Sequence, residues 1–543
     1  MKQLIKRSIY IAVLAMTTLS YQACTKLDES PYSEISNDDF LNNRREILQA
    51  ALRPMTHMQS WLAPTGGSGY YYHSELSADQ LAWPQKGRHG YDAGDHFRQH
   101  YHTWTDNESR MRDAWIGMWT GLGYVNNAIE RIQATPPEKV SMEPAELNAI
   151  IAELKVLRAF HYMKIMDLWG NVPIVEEVAE DIENPETKSR AEVFAFIQSE
   201  LEENVPNLLP LSEELIGRVN KAAGYAILAE LYLNAEKWIG QPMWDQCIAA
   251  CDAILNGEGG GLGGGPKLAD DLTSTFSNTN QRATEALFQF AFSQKGGFAF
   301  DWGGFFMGYD YMKDVLNVGY GGWNAFVVVP TAFDAYPEND LRKKEWFLFG
   351  PQYRYGTQTP VLGTEEWSGK PLVFVNSIRR ESEGDLTSAG SMSQGEENSG
   401  ARFHKYKSGT LQDDNYRENH YIIYRLTEIY FNKAEALIRK NGGIATQEAV
   451  NLINDSRKRA FSAEDWPTEQ YSIATLTLDE LLAERGREFI FEGKRRTDLI
   501  RFGKYTTASW WDHTPSNDPT RELYAIPNTQ IAINPNLQQN PGY

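Results

Sequence analysis

Two stretches of this chain concentrate tryptophan and tyrosine, interleaved with aspartate, glutamine and arginine in the first stretch and with glycine in the second. The first runs from Trp61 to Trp104 and the second from Phe298 to Trp323. An aromatic ring offers a flat apolar face, and the polar side chains offer hydrogen-bond donors and acceptors. Sugars present the matching surfaces, a flat C–H face and a rim of hydroxyl groups. The residue types therefore predict carbohydrate binding by loops whose glycines permit close approach.

We expect a small set of these residues to hold the ligand. Packing of the loops onto a scaffold is the commoner fate of any single ring, but we expect one or two rings in each stretch to face ligand. The predicted ligand-binding residues are Trp83 and Tyr91 from the first stretch, Trp302, Tyr320 and Trp323 from the second, and Asp79 and Arg88 as polar partners.

No arrangement typical of catalysis is found in the sequence. It contains no G-x-S-x-G motif of a hydrolase nucleophile. Glu484, Glu488 and Glu492 could resemble the paired carboxylates of a glycosidase. Arginines alternate with them, however, so we interpret them as partners in structural ion pairs. We predict that the protein is not an enzyme.

The metal-binding alternatives are weak. His96 and His100 would share one face of a helix, as a zinc pair does, but no HExxH context surrounds them. Cys247 and Cys251 lie four residues apart without a third ligand nearby, which is typical of two small buried side chains. We therefore predict no metal site and no cofactor.

The formal net charge of −20 limits the partners. An acidic surface repels phosphate backbones, so nucleic-acid binding is not expected. It does not favour attachment to anionic lipid headgroups either.

The first 24 residues have the layout of a bacterial export signal. Lys2, Lys6 and Arg7 form a basic start, a short apolar run follows, and Ala23 precedes Cys24. We predict a signal peptide at 1–23, lipid attachment at Cys24 and a lipidated tether at 24–40. Tyr21 departs from the leucine that is common three residues before such a cysteine, so cleavage elsewhere is the alternative.

Helical hydrophobic patterns come in pairs along the chain. The pairs are 40–53 with 113–134, 144–169 with 190–208, 218–238 with 244–255, and 417–440 with 446–459, and one further helix spans 478–491. Thr477 is the predicted N-cap of that further helix, and Gly493 its predicted break. About four such pairs predict a mainly α fold, a tetratricopeptide-like solenoid of helical hairpins.

The rest of the chain is irregular. A loop-rich region spans roughly 257–416, with short runs such as EALFQFAF and FVVVP that we interpret as strands. An aromatic insertion occupies 57–110. We predict a single domain at 41–543. In it, helical repeats at roughly 41–255 and 417–492 support the loop-rich region and the aromatic insertion.

Three blocks of sequence together resemble a known family. The first is ER-x-x-EF-x-x-EG-x-R-x-x-DLIR from Glu484, followed by the tail IP-x-x-x-I-x-x-NP-x-L-x-QNPGY. The second is AELKVLRAFHYMKIMDLWGNVPIV at 152–175, and the third is YRLTEIYFNKAEALIRK at 424–440. They resemble the SusD/RagB-like outer-membrane nutrient-binding lipoproteins, over most of the chain from Cys24 to Tyr543.

The resemblance implies a function and a location. It implies a non-catalytic glycan-binding protein, lipid-anchored in the outer membrane and facing the cell exterior. Such a protein delivers an oligosaccharide to a SusC-like TonB-dependent transporter. The alternatives are an exported glycoside hydrolase and a helical-repeat scaffold that binds peptide or glycopeptide.

Overall fold

A computed structural model describes residues 40–63, 67–178, 184–293, 306, 308–318, 321–407 and 418–543 of the chain. The predicted signal peptide, the predicted lipidation site Cys24 and the tether up to residue 39 lie outside these residues. The proposed domain boundaries stay predictions.

The described residues form eighteen α-helices in chain order. They are α1 Arg44–Leu62, α2 Tyr70–Leu76, α3 Asp95–His100, α4 Ser109–Gln133, α5 Pro137–Val140, α6 Pro144–Trp169, α7 Arg190–Asn204, α8 Lys221–Ile239, α9 Trp244–Leu255, α10 Met312–Leu316, α11 Pro330–Asp334, α12 Leu341–Glu345, α13 Leu426–Lys440, α14 Gln447–Arg457, α15 Trp466–Glu469, α16 Leu478–Phe489, α17 Arg495–Arg501 and α18 Asn528–Ile533.

The long helices pack against one another in a single succession. Contacts lead from α1 to α4, α6, α7, α8, α9, α13 and α14. Local sequence starts several of them: Ser189 and Glu192 form a capping box at α7, and Asn220 caps α8 by accepting from the Ala223 amide. The protein is mainly helical, as predicted, and the order of contacts is the one that stacked hairpins produce.

Ten short strands pair two by two among the described residues. They are β1 Leu81–Ala82, β2 Val172–Pro173, β3 Thr187–Lys188, β4 Ala286–Phe290, β5 Val327–Val328, β6 Phe347–Leu348, β7 Gly350–Pro351, β8 Val373–Phe374, β9 Arg402–Phe403 and β10 Tyr421–Arg425. All pairs are antiparallel: β1 with β5, β2 with β3, β4 with β10, β6 with β9, and β7 with β8. Strands were correctly predicted in EALFQFAF and FVVVP.

Several predicted helix bounds differ from the structure. The helix expected at 417–440 starts only at Leu426, because Tyr421–Arg425 is the buried strand β10. The first helix continues to Leu62 and so includes Trp61, which is buried. Helix α16 ends at Phe489, before the predicted break at Gly493, because Ile490 turns extended and Phe491 adopts a φ of 69°.

A network of buried ion pairs joins α16 to the loop-rich region. The Arg342 guanidinium contacts the carboxylates of Glu484 at 2.9 Å and Glu488 at 3.0 Å. The Arg425 guanidinium contacts Glu488 at 3.0 Å and Glu492 at 2.8 Å. The interpretation of these three glutamates as structural ion-pair partners is confirmed.

No helix in the described part of the chain is both long and apolar enough to span a membrane. The main hydrophobic core contains residues from Leu41 to Leu537, including side chains of the helices and of strands β1, β4 and β5. The loops that carry the aromatic stretches are thus anchored on the helical body through these strands.

Candidate functional site

Strand pairing brings the two aromatic stretches together. In the β1–β5 pair, Leu81 lies opposite Val328 and Ala82 opposite Val327. Strand β1 lies within the first stretch, and strand β5 follows the second stretch. Because the strands are antiparallel, the residues after Ala82 lie beside those before Val327. The rings of Trp83 and Phe326 accordingly lie 5.2 Å apart, centroid to centroid.

A buried lysine also links the two segments beyond the ends of these strands. The ammonium of Lys86 donates hydrogen bonds to the backbone carbonyls of Asn324 at 2.7 Å and Ala325 at 2.9 Å. Lys86 also exchanges two backbone hydrogen bonds with His89, of 2.8 and 2.9 Å, which close a tight turn. Gly87 in that turn has a φ of 54°, a conformation that glycine adopts without strain. The turn presents Arg88 at its tip.

Arg88 reaches towards an acidic loop of the loop-rich region. Its guanidinium lies 3.5 Å from the Glu365 carboxylate, and its side chain is mostly exposed. The loop that carries Glu365 is held by Glu397, whose buried carboxylate accepts hydrogen bonds from the backbone amides of Thr364, Glu365 and Trp367. A buried carboxylate thus fixes the loop, while Glu365 and Arg88 keep their polar ends at the surface.

Tyr91 and Trp323 present aromatic faces to solvent at this junction. Tyr91 is 54% exposed and Trp323 is 67% exposed. Tyr91 is supported by an edge contact with Phe97, 5.8 Å between centroids. Beside Trp323, Asn324 takes a φ of 49° and its side-chain oxygen accepts from Arg402 at 2.6 Å. Both rings are therefore carried by backbone that neighbouring side chains hold in place.

Trp83 and Asp79 are placed differently from the expectation. Trp83 is buried, with its indole stacked on His96 at 3.9 Å and nearly parallel to it, so its ring is covered. Asp79 forms a two-point ion pair with Arg495, at 2.7 and 2.9 Å. Because these groups are occupied by the protein itself, they support the loops in this structure. Their direct contact with a ligand stays a prediction that burial and pairing disfavour.

The remaining predicted residues and the newly found ones complete the site. Trp302 and Tyr320 lie outside the described residues. Glu365, Tyr309 and His89 are not among the ligand-binding residues predicted from the sequence. The rings of Tyr309 and His89 lie 4.9 Å apart within the junction. The acidic pair before a tryptophan in TEEW was the only sequence signal for Glu365.

The histidine and cysteine clusters have structural partners. His96 hydrogen-bonds Tyr72 at 2.8 Å and Asp92 at 3.0 Å, and burial lowers the pKa of its imidazole to about 4. His100 hydrogen-bonds the Asp512 carboxylate at 2.6 Å. Within the described ranges, no group of three or more histidine, cysteine, aspartate or glutamate side chains could hold a metal ion.

The arrangement is suited to reversible binding of a polar ring compound. Two exposed aromatic faces, Tyr91 and Trp323, offer stacking surfaces, and Arg88 and Glu365 offer a donor and an acceptor on the linked loops. The glutamates that could have formed a glycosidase pair are buried in ion pairs away from this surface.

Two family models match the sequence. The model described as the SusD family matches residues 284–543, and the model described as starch-binding, associating with outer membrane, matches residues 27–233. The chain is similar to the SusD family over most of its length. Between them the two matches include both aromatic stretches. The part of the loop-rich region before residue 284 lies outside both matches.

Relatives and solved structures show the same similarity. The starch-binding protein SusD of Bacteroides thetaiotaomicron is 26% identical over 482 residues, 80% of this chain and 79% of its own length. A SusD-like protein P2 of Formosa agariphila is 23% identical over 99% of this chain and all of its own length.

Solved SusD-family structures share the fold. A surface glycan-binding protein A from Bacteroides thetaiotaomicron, solved in complex with laminarihexaose, has a TM-score of 0.68 at 20% identity, over 92% of this chain and 99% of its own. A SusD-superfamily protein from Parabacteroides distasonis has a TM-score of 0.70 at 16% identity, over 92% of this chain and 99% of its own. The helical architecture with inserted loops is thus the SusD fold.

Proposed function

We propose that this chain is a non-catalytic glycan-binding protein that captures an oligosaccharide at the junction of its two aromatic stretches. The observation that carries the proposal is the link between the two stretches, because the β1–β5 pair and the hydrogen bonds of Lys86 join the segment that carries Arg88 and Tyr91 to the segment that carries Trp323. Sugar rings stack on such aromatic faces, and their hydroxyl groups exchange hydrogen bonds with the polar pair of Arg88 and Glu365.

The way the site is built favours recognition without chemistry. Lys86, Glu397 and Arg402 hold the loops through buried hydrogen bonds, so binding requires little ordering of the backbone. The names of the relatives, one starch-binding and one solved with laminarihexaose, point to neutral glucans as the first ligands to test.

The rest of the proposal concerns the cellular context. Cys24 carries the lipid that anchors the protein in the outer membrane, with the binding site facing the exterior. The bound glycan passes to a SusC-like TonB-dependent transporter. Similarity to the SusD family and the export-signal layout of residues 1–23 support this context.

Calorimetric titration with maltohexaose and laminarihexaose tests the binding function. We expect one of them to bind, and we expect Trp323→Ala and Tyr91→Ala each to weaken binding by roughly 1–3 kcal/mol through loss of a stacking face. Ile444→Ala is the matched control, because Ile444 is an equally exposed apolar side chain, 62% exposed, in the connection between α13 and α14.

Three results would overturn parts of the proposal. Release of reducing ends on incubation with these glycans would identify a glycoside hydrolase instead. Unchanged affinity in both Trp323→Ala and Tyr91→Ala would place the binding site elsewhere on the protein. If a broader panel is tested and the protein binds a peptide but no glycan, the peptide-binding alternative is favoured.

A further inference from the structure

A cavity lies in the loop-rich region, and its lining shares no residue with those described above at the junction of the aromatic stretches. Its volume is about 530 Å³, within the range of small-molecule binding sites. Val315 and Leu316 at the end of α10 form part of its wall, together with strands β6 and β7 and the segment that follows β7. None of the residues predicted from the sequence as ligand-binding lines it.

The aromatic side chains of this cavity are exceptional in the described part of the chain. Only five phenylalanine, tyrosine or tryptophan side chains there are more than about a third exposed. Two are Tyr91 and Trp323 of the first site. The other three are Phe349 at 47%, Tyr353 at 40% and Tyr355 at 48%, and all three line this cavity.

These three rings come from one short segment of the chain. Phe349 directly follows β6, Tyr353 and Tyr355 follow β7, and all three side chains line the same cavity. The segment is fixed on both sides. The Gln352 amide donates to the Leu372 carbonyl at 2.9 Å, and the Tyr355 amide donates to the Asp314 carbonyl at 2.8 Å. Exposed rings on a fixed segment form a ready-made stacking surface.

The charge of the lining is the reverse of that of the whole molecule. Although the chain has a net charge of −20, no aspartate or glutamate is among the described residues that line the cavity. Three cations, Lys344, Arg354 and Lys407, do line it, together with His404. A concave surface with one sign of charge raises the local concentration of ligands of the opposite sign.

Arg354 and Lys344 are the two of these cations that remain able to bind an anion, because Lys407 also donates a hydrogen bond to the Glu345 backbone carbonyl. The Arg354 guanidinium lies 3.4 Å from the Asp314 carboxylate in an exposed pair, and such pairs are weak. Lys407 lies 3.4 Å from the Glu345 carboxylate. Within the described ranges Lys344 forms no ion pair shorter than 4.0 Å, whereas its neighbour Lys343 pairs with Glu338 at 2.5 Å.

We propose that this cavity is a second binding site, for an oligosaccharide that carries carboxylate or sulfate groups. Exposed rings provide stacking for the sugar faces, as at the first site. The cations provide the ionic partners, and Arg354 offers a planar donor pair that matches a carboxylate or sulfate. The absence of acids from the lining removes the repulsion that the rest of the surface exerts on an anionic glycan.

Calorimetric titrations of the full-length protein test this site with three glycans of equal length. The carboxylate probe is a hexamer of galacturonic acid, the sulfate probe is a sulfated galactan hexamer, and the neutral probe is maltohexaose. We expect at least one anionic probe to bind, and its affinity to fall as sodium chloride rises from about 0.05 to 0.5 M, because salt screens charge–charge attraction.

Matched variants test whether the anionic probe binds in this cavity. Lys344→Gln combined with Arg354→Gln should weaken binding of the anionic probe about tenfold or more, and Tyr355→Ala should weaken it severalfold. Lys343→Gln is the control, since it removes the same charge from the same helix at a residue that does not line the cavity. Thermal melting of each variant verifies that it folds.

The two sites are distinguished by exchanging the variants. Tyr91→Ala should leave binding of the anionic probe unchanged, whether or not the first site binds a neutral glycan. The proposal is overturned if neither anionic probe binds, or if Tyr91→Ala abolishes its binding while the Lys344 and Arg354 variant does not. Salt-independent binding of maltohexaose that Tyr355→Ala abolishes would instead make the cavity a site for neutral sugars.

Discussion

Lys86 is a fully buried lysine, and burial lowers the pKa of its side chain well below the ordinary value. Such a group is costly to bury unless its hydrogen bonds are made. Here they are made to two backbone carbonyls of the other aromatic stretch, those of Asn324 and Ala325. The first of these residues directly follows Trp323. A buried polar contact therefore determines where an exposed ring of the candidate site lies.

Replacing this lysine tests that positioning role. Lys86→Met keeps the length of the side chain but removes the donor, which leaves two buried carbonyls without it. An unsatisfied buried acceptor costs roughly 1–3 kcal/mol, so we expect a lower melting temperature. We also expect severalfold weaker binding of whichever glycan the native protein binds at the first site, measured by calorimetry, because the segment carrying Trp323 loses its anchor.

The control for this substitution is Lys458→Met, at an exposed lysine that follows α14. It should change neither the melting temperature nor the affinity. If Lys86→Met lowered stability but left affinity as in the native protein, the lysine would have a purely structural role and Trp323 would be held by other contacts.

At the level of single residues, the sequence identified the right kinds of side chain but not their exposure. Of the aromatic residues in the first stretch, Tyr91 is exposed, whereas those in α2 and both Trp83 and Trp104 are buried. Sequence shows that a ring is present. Whether His96 stacks on the Trp83 ring depends on the position of helix α3, which carries His96. The local sequence pattern does not specify that position.

Among the elements, α16 makes the densest ionic contacts with the rest of the chain. Its glutamates accept from Arg342 of α12 and Arg425 of β10, elements that are far apart in sequence. Burial opposes ionisation of the adjacent Glu492, but the positive charges of Arg425 and Lys405 outweigh it and lower the pKa of that carboxyl to about 2. The helix thus connects the helical stack to the loops through buried ion pairs.

Removing one charge from this network should be costly. Glu488→Gln keeps the shape of the side chain but leaves Arg342 and Arg425 with an uncompensated part of their charge. Breaking a buried ion pair from one side costs roughly 3–5 kcal/mol, and we expect a loss of that order in the free energy of unfolding, measured by chemical denaturation. Asp479→Asn on the same helix is the control.

Asp479 differs from Glu488 in exposure. It lies in the first turn of α16, is mostly exposed and pairs with Lys504 at 3.1 Å. Its substitution should cost less than about 1 kcal/mol, from a weak surface pair and the helix dipole. Equal losses in the two variants would contradict a special role for the buried network.

The elements were predictable where local pattern decides them. Helices α6 and α9 have the predicted bounds, because apolar periodicity and a proline or turn at the ends specify a helix locally. Strand β10 was taken for the start of a helix. Its partner β4 lies more than a hundred residues earlier, and pairing at that separation leaves no periodic signal in a short buried segment.

For the whole molecule, the sequence predicted a helical body with aromatic loops but not the contact between those loops. Both stretches were recognised as carrying ligand-binding residue types. That they meet depends on the two-residue strands β1 and β5, which are too short to identify from sequence. The cationic cavity was also missed, because its lining comes from segments separated along a chain whose composition is strongly acidic.

Many ionisable groups are buried in this molecule, and its histidines give stability a defined pH dependence. Burial lowers the pKa of His73, His96 and His161 to about 4, and the same direction holds for His420 and His513. Below pH 6.5 the unfolded chain binds protons at these positions while the folded protein does not. The unfolded state then holds more protons, so the free energy of unfolding falls as pH falls from 6.5 towards 4.

Buried carboxyls whose pKa is raised act in the opposite direction over part of that range. Burial raises the pKa of Glu75 to about 8 and that of Glu153 to about 7, so each makes the folded state lose stability as pH rises above about 4.5. The histidines outnumber these carboxyls. We therefore expect the free energy of unfolding to decrease as pH falls from 6.5 to 4.5.

Thermal melting at constant ionic strength across pH 4.5–8 measures this balance, and one variant isolates a single histidine. His161 is fully buried and its imidazole Nδ1 lies 2.9 Å from the Leu157 carbonyl. His161→Gln removes one group that the unfolded state protonates, so the fall in stability below pH 6.5 should be shallower by up to about 1.4 kcal/mol per pH unit, whatever the change at pH 8. A variant with an unchanged slope would show that the His161 imidazole titrates alike in the folded and unfolded chain.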